Sequence, residues 1–436
     1  PVIAFDCPTG PKEIIQQEIN GLLIEDQNMD KLIQAMNVML SNDVLYSRCK
    51  MNAKISIDKF SLSVIGGQWL DLMSYNWFYL KKLLYITTNL QNSGGVARIL
   101  SVKLNYLIEK YDYNISVINS NQKNNIFFYD FNGQIKFFSI NTNHLFEYKK
   151  ELNVLINNIE PDIIVNCDNG LKGSLLPYLI NSKAPLIYER HCGKNISIET
   201  LIEKFKLMVS NFILERSINK YKEFIVLNDK EKQDWDRSDI QIIPNPLWLN
   251  LKHKKKECNS KIAIAVGRHS FEKRLDRLIA IWAKVVEKHP DWGLKISGER
   301  NKNIQLEKLV NKLNIEKNIQ FNNPTNDVEK IYSEACMLLT TSVSESFGLV
   351  LIEAMAFGIP VIAFGGTSGT ETLIDDGVNG FLVKQNETKT YIEKTNLLIE
   401  NAMQRKQMGE NARKSLESFN IDYIMILWHN LFQSIK

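Results

Sequence analysis

Two carboxylates, Glu345 and Glu353, stand with seven residues between them in TSVSESFGLVLIEAMAFGIPVIAF, which covers Thr341–Phe364. The stretch predicts a short loop, a helix and a buried strand. Gly348 opens the helix, the apolar run LVLIEAMAFG packs it into a core, Pro360 ends it and VIAF follows as a strand. A helix that begins at a glycine beside a loop presents backbone N–H groups without intrahelical partners and the positive end of its dipole. That is a place for a phosphate. A carboxylate before the helix tip and another two turns in can hold hydroxyls on either side of the anion. The spacing therefore suits a ligand with a diphosphate in the middle and a sugar at each end. Paired glutamates at this distance are also common on solvated helices. Here, however, Glu353 lies inside an apolar run, where a charge is costly unless partnered.

Such a site needs a scaffold, and 436 residues are too many for one core. The composition is that of a folded globular protein. The net charge of +4 is small, and no Lys/Arg block is long enough to suggest nucleic acid. The run HKKK at His253–Lys256 is expected to be a solvated linker. Six scattered cysteines form no C-x-x-C pair, so reduced thiols in a cytosol are expected, and the six histidines do not fall at metal-ligand spacings. No apolar run has the length of a membrane span and no signal peptide is visible, so any membrane contact is expected to be peripheral.

From Lys81 onward, buried strands such as KKLLYITTNL, ISVINS, PDIIVNC, APLIYERH and EFIVLN alternate with helices. After IPNPLWLN, Ile243 to Asn250, and the basic linker, a second series starts at KIAIAVG. Alternation of this kind predicts parallel sheets covered on both faces. Two doubly wound domains in tandem place a cleft between the carboxyl ends of their strands. The expected boundaries are 78–250 for the first of these domains and 251–436 for the second. The terminal helix of the second is expected to pack back on the first.

The front of the chain repeats its end. PVIAFDCPTGPKEIIQQEINGLLI at Pro1–Ile24 echoes PVIAFGGTSGTETLIDDGVNGFLV at Pro360–Val383, an offset of 359 (360 − 1) without a gap. The register persists through Asn52-Ala53 and Asn411-Ala412, Phe60 and Phe419, and Trp69 and Trp428. Residues 1–77 therefore read as a partial copy of the last domain, and a period this long signals duplication of a domain. Because the copy begins at an internal strand and without Met, it is expected to be the tail of an upstream module. It lacks the segment that would carry its own paired glutamates.

Taken together, these residues resemble the retaining glycosyltransferases of family 4, which have the GT-B fold. The resemblance runs from Leu83 to about Lys436. It rests on the loop Gly94-Gly95, on IPNP at Ile243–Pro246, on GRHSFEKRLDRLI at Gly267–Ile279 and on Glu345-x7-Glu353, in that order and spacing along the chain. It implies a nucleotide-diphosphate sugar as donor, UDP-linked, with no cofactor and no metal. Arg268 and Lys273 match the pair that neutralises the diphosphate, for which a guanidinium fork and an ammonium are suited. Glu353 matches the carboxylate on the ribose, and the N–H groups of Gly348 and Leu349 would touch the phosphate or the donor sugar. Glu345 matches the catalytic position facing the sugar. There it would position the sugar and favour positive charge near the anomeric carbon rather than form a stable covalent intermediate. Gly94 and Gly95 either let the backbone approach the diphosphate or the acceptor or simply make a tight turn. His191, in YERHCG, matches a histidine facing the donor sugar, with Arg190 as the alternative because register at a strand end is open by one residue.

Three positions depart from the family pattern: Ser346 stands where a Gly is common, Ser297-Gly298-Glu299 replaces Gly-x-Gly, and GGTSGTE replaces a shorter arrangement. The resemblance implies a hexosyltransferase of surface polysaccharide or lipopolysaccharide synthesis. It would act on a saccharide or lipid-linked acceptor in the cytoplasm, at the membrane face where the acceptor is lipid-linked. The alternatives are a non-catalytic sugar-nucleotide-binding module and a GT-B epimerase acting on the nucleotide sugar without an acceptor.

Overall fold

The computed structural model describes residues 1–7, 10–73, 81–120, 126–142, 144–194, 200–235, 237, 239–249, 260–301 and 303–435, the side chains of 70–73 excepted. The basic linker and both expected domain boundaries lie outside the described residues. The chain divides into two compact units, Pro1–Tyr79 and Leu80–Lys436.

The first unit holds β1 (Val2–Phe5), α1 (Pro11–Ile14), β2 (Gly21–Ile24), α2 (Met29–Ser41), α3 (Asp43–Ile57) and α4 (Leu62–Met73). β1 and β2 pair in parallel, Val2 opposite Gly21 and Phe5 opposite Ile24. Leu22, Ile24, Ala35, Met39, Leu45 and Cys49 form its small core.

The second unit contains two lobes. The first lobe runs β3 (Lys82–Thr87), α5 (Gly95–Tyr111), β4 (Asn114–Asn119), β5 (Lys136–Ser139), α6 (Leu145–Ile159), β6 (Ile163–Asn166), α7 (Leu171–Leu179), β7 (Leu186–Glu189), α8 (Leu201–Ser217), β8 (Glu223–Val226), α9 (Asp229–Gln233) and β9 (Gln241–Ile242). The second lobe runs β10 (Ile262–Val266), α10 (Leu275–Val286), β11 (Gly293–Ser297), α11 (Leu306–Lys312), β12 (Ile319–Asn322), α12 (Val328–Tyr332), β13 (Met337–Thr340), α13 (Leu349–Ala356), β14 (Val361–Phe364), α14 (Ser368–Leu373), β15 (Gly380–Val383), α15 (Thr388–Glu400), α16 (Ala402–Lys414) and α17 (Ile421–Ser434).

The sheets are parallel, with strand orders β5-β4-β3-β6-β7-β8-β9 and β12-β11-β10-β13-β14-β15. Each reverses direction of winding at one switch point, between β3 and β6 and between β10 and β13. Alternate strand residues feed opposite faces, as a pleated strand requires. Leu83 and Tyr85 join a core with α5, while Leu84 and Ile86 join one with α6 and α7. The unbroken apolar character of these strands follows from this two-sided burial.

Helix α17 belongs to the second lobe in sequence but packs on the first. Ile424, Met425, Trp428 and Phe432 lie in the core cluster of Leu83, Leu100 and Leu104. Lys81 Nζ donates to the carbonyls of Phe432 (2.6 Å) and Ile435 (3.1 Å), and the Tyr111 ring stacks on His429 at 4.1 Å. Cys7, Cys49, Cys167 and Cys192 are free thiols, but Cys336 is disulfide-bonded, against the expectation of reduced thiols throughout.

Candidate active site

A cleft of about 960 Å³ opens where the two switch points face each other. Ligands of open α/β sheets bind at such points because the strand ends and helix N-termini there diverge and leave a crevice. Nine of the residues singled out in sequence line this one cleft: Gly94, Gly95 and His191 from the first lobe, and Arg268, Lys273, Glu345, Gly348, Leu349 and Glu353 from the second.

Helix α13 starts at Gly348, whose φ of +86° is left-handed and favours glycine. Opposite it, α5 starts behind Gly94. A Cβ on Gly95 would come 3.2 Å from Leu349 Cδ1, so this glycine marks where the two helix tips approach across the lobes. Gly94 makes a tight turn, its N–H donating to Asn92 Oδ1 at 2.9 Å.

Lys273, in the turn after β10, is ion-paired with Glu345 Oε1, which also accepts from Ser342 Oγ at 3.0 Å. Arg268 is more exposed and contacts Glu272 Oε1 at 3.2 Å on the rim. Glu353 is 6% exposed and accepts from the Tyr332 hydroxyl at 2.7 Å. Burial raises its pKa, opposed by that hydrogen bond and by the charge of Arg98.

The choice between His191 and Arg190 falls to the pleat. Glu189 and His191 share one side of the strand end and Arg190 the other. Arg190 is buried away from the cleft, with Nη2 donating to Asn211 Oδ1 at 3.2 Å and its guanidinium 4.9 Å from the Trp235 ring. His191 lines the cleft with Nε2 turned inward, 3.4 Å from Glu189 Oε1 but without hydrogen-bond geometry. Burial lowers its pKa despite the glutamate, which keeps the imidazole neutral at pH 7. Beneath it, Cys167, Glu189 and His191 lie close enough for a metal, a grouping that histidine spacing did not reveal. Lys103 Nζ sits on Glu189 Oε2 at 2.5 Å, so the cluster carries its own cation.

Arg98 escaped the sequence reading, and Ser346 was read only as a departure from the family pattern, without a role. The Arg98 guanidinium lies 4.3 Å from the Tyr129 ring and 5.0 Å from that of Trp248, and Nη2 donates to Asn326 O at 3.2 Å in the other lobe. A cation in the first turn of a helix opposes the dipole, and that was the available signal. Ser346, the departure from glycine, ties the lobes together. Its Oγ accepts from the Gly193 N–H at 2.7 Å and its carbonyl from Asn228 Nδ2 at 2.8 Å. Beside it the buried Glu231 accepts from Ser368 Oγ (3.4 Å) and the Leu227 N–H (3.3 Å). Burial pushes Glu231 from its ordinary 4.5 to about 7, against the pull of its hydrogen bonds and of Arg190.

Residues 249–415 match the family described as Glycosyl transferases group 1. The chain is 27% identical to an uncharacterized glycosyltransferase of Haemophilus influenzae over 81% of its own length and 100% of the relative's. It is 24% identical to the amylovoran biosynthesis glycosyltransferase AmsD of Erwinia amylovora, covering 80% of this chain and 99% of that one. Among solved structures, a mutant of Staphylococcus aureus TarM in complex with fondaparinux, alpha-GlcNAc-glycerol and UDP superposes with a TM-score of 0.67. The two are 18% identical, over 81% of this chain and 100% of that one. The fold defines the class, two facing Rossmann-like lobes of the GT-B type, and within it residues 249–415 are similar to the glycosyl transferases group 1 family.

Proposed function

We propose that the protein is a retaining, metal-independent hexosyltransferase of family 4. It moves a sugar from a UDP-linked donor to a saccharide or lipid-linked saccharide acceptor in surface polysaccharide synthesis. The observation that carries this is the convergence of Arg268, Lys273, Glu345, Glu353 and two glycine-capped helix tips on one interlobe cleft. The AmsD relationship and the UDP bound to TarM support the acceptor class and the donor. In this reading the diphosphate lies at the α13 tip between Lys273 and Arg268, and Glu353 accepts from the ribose hydroxyls. The bond from the anomeric carbon to the diphosphate oxygen breaks as the acceptor oxygen bonds on the same face, and the acceptor proton passes to the departing diphosphate. Glu345 holds the sugar and stabilises positive charge on its ring. Binding of the diphosphate draws Lys273 from Glu345, leaving that carboxylate to face the sugar. Residues 1–77 are read as a repeat of the donor lobe's closing segment that takes no part in the reaction.

The test is transfer and donor hydrolysis across a panel of nucleotide sugars. Glu345→Gln and Lys273→Ala should each lower the rate by about 10²–10³-fold, the magnitude typical of removing one preorganised electrostatic group. Rates unchanged in both variants with every donor would end this reading. UDP binding without any turnover by the parent would leave a binding module in its place.

A further inference from the structure

Helix α8 buries one face and leaves the other bare. Ser210, Leu214 and Ser217 point inward, with Ser210 Oγ 2.7 Å from Ser174 Oγ of α7 and Ser217 Oγ donating to Ser174 O at 3.2 Å. On the outside, Leu201, Phe205, Met208 and Phe212 recur at helical spacing and are 83%, 62%, 60% and 51% exposed, with Ile202 beside them at 70%. Single exposed apolar residues are ordinary, but a continuous stripe of this kind marks a docking face.

The charges around the stripe say what it fits. Lys204, Lys206, Arg216 and Lys220 are all exposed along it. The Arg216 guanidinium lies 4.1 Å from the Phe212 ring, and Lys220 Nζ lies 5.0 Å from the ring of the exposed Tyr178. The two acids of the helix are engaged: Glu203 closes the N-terminal cap with Thr200, and Glu215 pairs with Lys194 at 2.7 Å. What remains toward solvent is apolar, aromatic and positive, the composition of a helix that lies in the interface of an anionic bilayer. Glu203 and Lys206 also line the cleft, so the stripe runs to its rim.

We propose that the outer face of α8 docks the protein on an anionic lipid surface. The stripe enters the headgroup boundary, and Lys204, Lys206, Arg216 and Lys220 meet lipid phosphates. The cleft then opens beside the bilayer, where a lipid-linked acceptor would be presented. Only that last consequence rests on the proposed transfer reaction; the docking itself does not.

The test is co-sedimentation of the full chain with phosphatidylcholine vesicles, with and without phosphatidylglycerol, read without any sugar transfer. Binding should require phosphatidylglycerol and weaken with salt. Phe205→Ser with Met208→Ser, and separately Lys204→Glu with Arg216→Glu, should each lower the apparent lipid affinity by about tenfold or more. Melting temperatures should be unchanged because these side chains are already exposed. Three results would overturn the proposal: no binding of the parent to anionic vesicles, equal binding by both variants, or a stripe-dependent dimer that ignores lipid. Vesicle binding without transfer to any acceptor would sink the transferase reading and leave this one standing.

Discussion

The segments from β1 to α4 and from β14 to α17 follow one order of elements, and their matching residues are buried to different depths. At the offset of 359, β1 falls on β14, β2 on β15, α2 on α15 and the turn Asp58–Phe60 on Glu417–Phe419, end for end. Even the polar locks coincide. Asn20 Nδ2 donates to Ile14 O (2.9 Å) and Ser56 Oγ (2.6 Å), and Asn379 Nδ2 donates to Leu373 O (3.0 Å) and Ser415 Oγ (3.2 Å). Each Asn Oδ1 accepts a backbone N–H four residues earlier, from Gln16 and Asp375. Yet Val2 is 49% exposed and Val361 0%, Ile14 42% and Leu373 5%, Trp69 57% and Trp428 1%. The difference is the neighbours. β14 pairs with β13 on its other edge, and Trp428 sinks into the first lobe beside Leu100 and Leu104. Local sequence writes strands, helices and their caps, but burial needs a partner surface.

The largest expected effect breaks the pair apart. Trp428→Ala should destabilise the second unit by about 3–5 kcal/mol, as truncation of a fully buried aromatic does. Trp69→Ala should cost less than about 0.5 kcal/mol, as at exposed positions. Chemical denaturation of each variant reads both, and equal losses would mean that the exposure contrast is not energetic.

The next effect concerns α14, which buries Gly369, Thr370 and Leu373, whereas α1 buries none of its residues. α14 is covered by α9, and Glu231 lies between them. With a folded value of about 7 against an ordinary 4.5, folding favours the protonated acid. Its stabilising contribution is therefore fully present below about 4.5 and lost as pH rises through about 7. At about 1.36 kcal/mol per pH unit this amounts to on the order of 3 kcal/mol. Melting at pH 5 and pH 8 should show a fall in the parent that Glu231→Gln removes. An identical fall in both would exclude Glu231 as its source.

A smaller and equal effect should mark what the regions share. Asn20→Ala and Asn379→Ala each remove the three hydrogen bonds of a buried amide, for about 1–3 kcal/mol apiece. Protection of the backbone amides from hydrogen exchange should fall by similar factors in the two segments, and a loss in one alone would show that the locks are not equivalent. The smallest effect is on turnover. Removing residues 1–77 should leave transfer per folded enzyme unchanged, because the cleft is built from the second unit; loss of transfer with that unit still folded would give the front segment a part in the reaction.

Much of the site was legible because its signals are local. Glu345, Gly348 and Glu353 are tied by one loop and one helix, and Arg268 and Lys273 by one turn after β10. Parallel sheets were legible from apolar strands alternating with helices. The edge strands β5 and β9 were not, since two to four residues on a sheet margin carry little of that apolar run. The roles of Arg98 and Ser346 were also hidden, because each acts across the lobes on residues far away in sequence.

By itself, then, the sequence determined the order of elements, the correspondence of residues 1–24 with 360–383 and the glutamates flanking a helix tip. All of these depend on residues within a few turns of one another. Only the tertiary structure decided that His191 rather than Arg190 walls the cleft, that Gly95 meets Leu349, and that Ser346 bolts one lobe to the other. Strand pleat, lobe approach and burial are set by surfaces that meet only after the chain has folded, so no local pattern could record them.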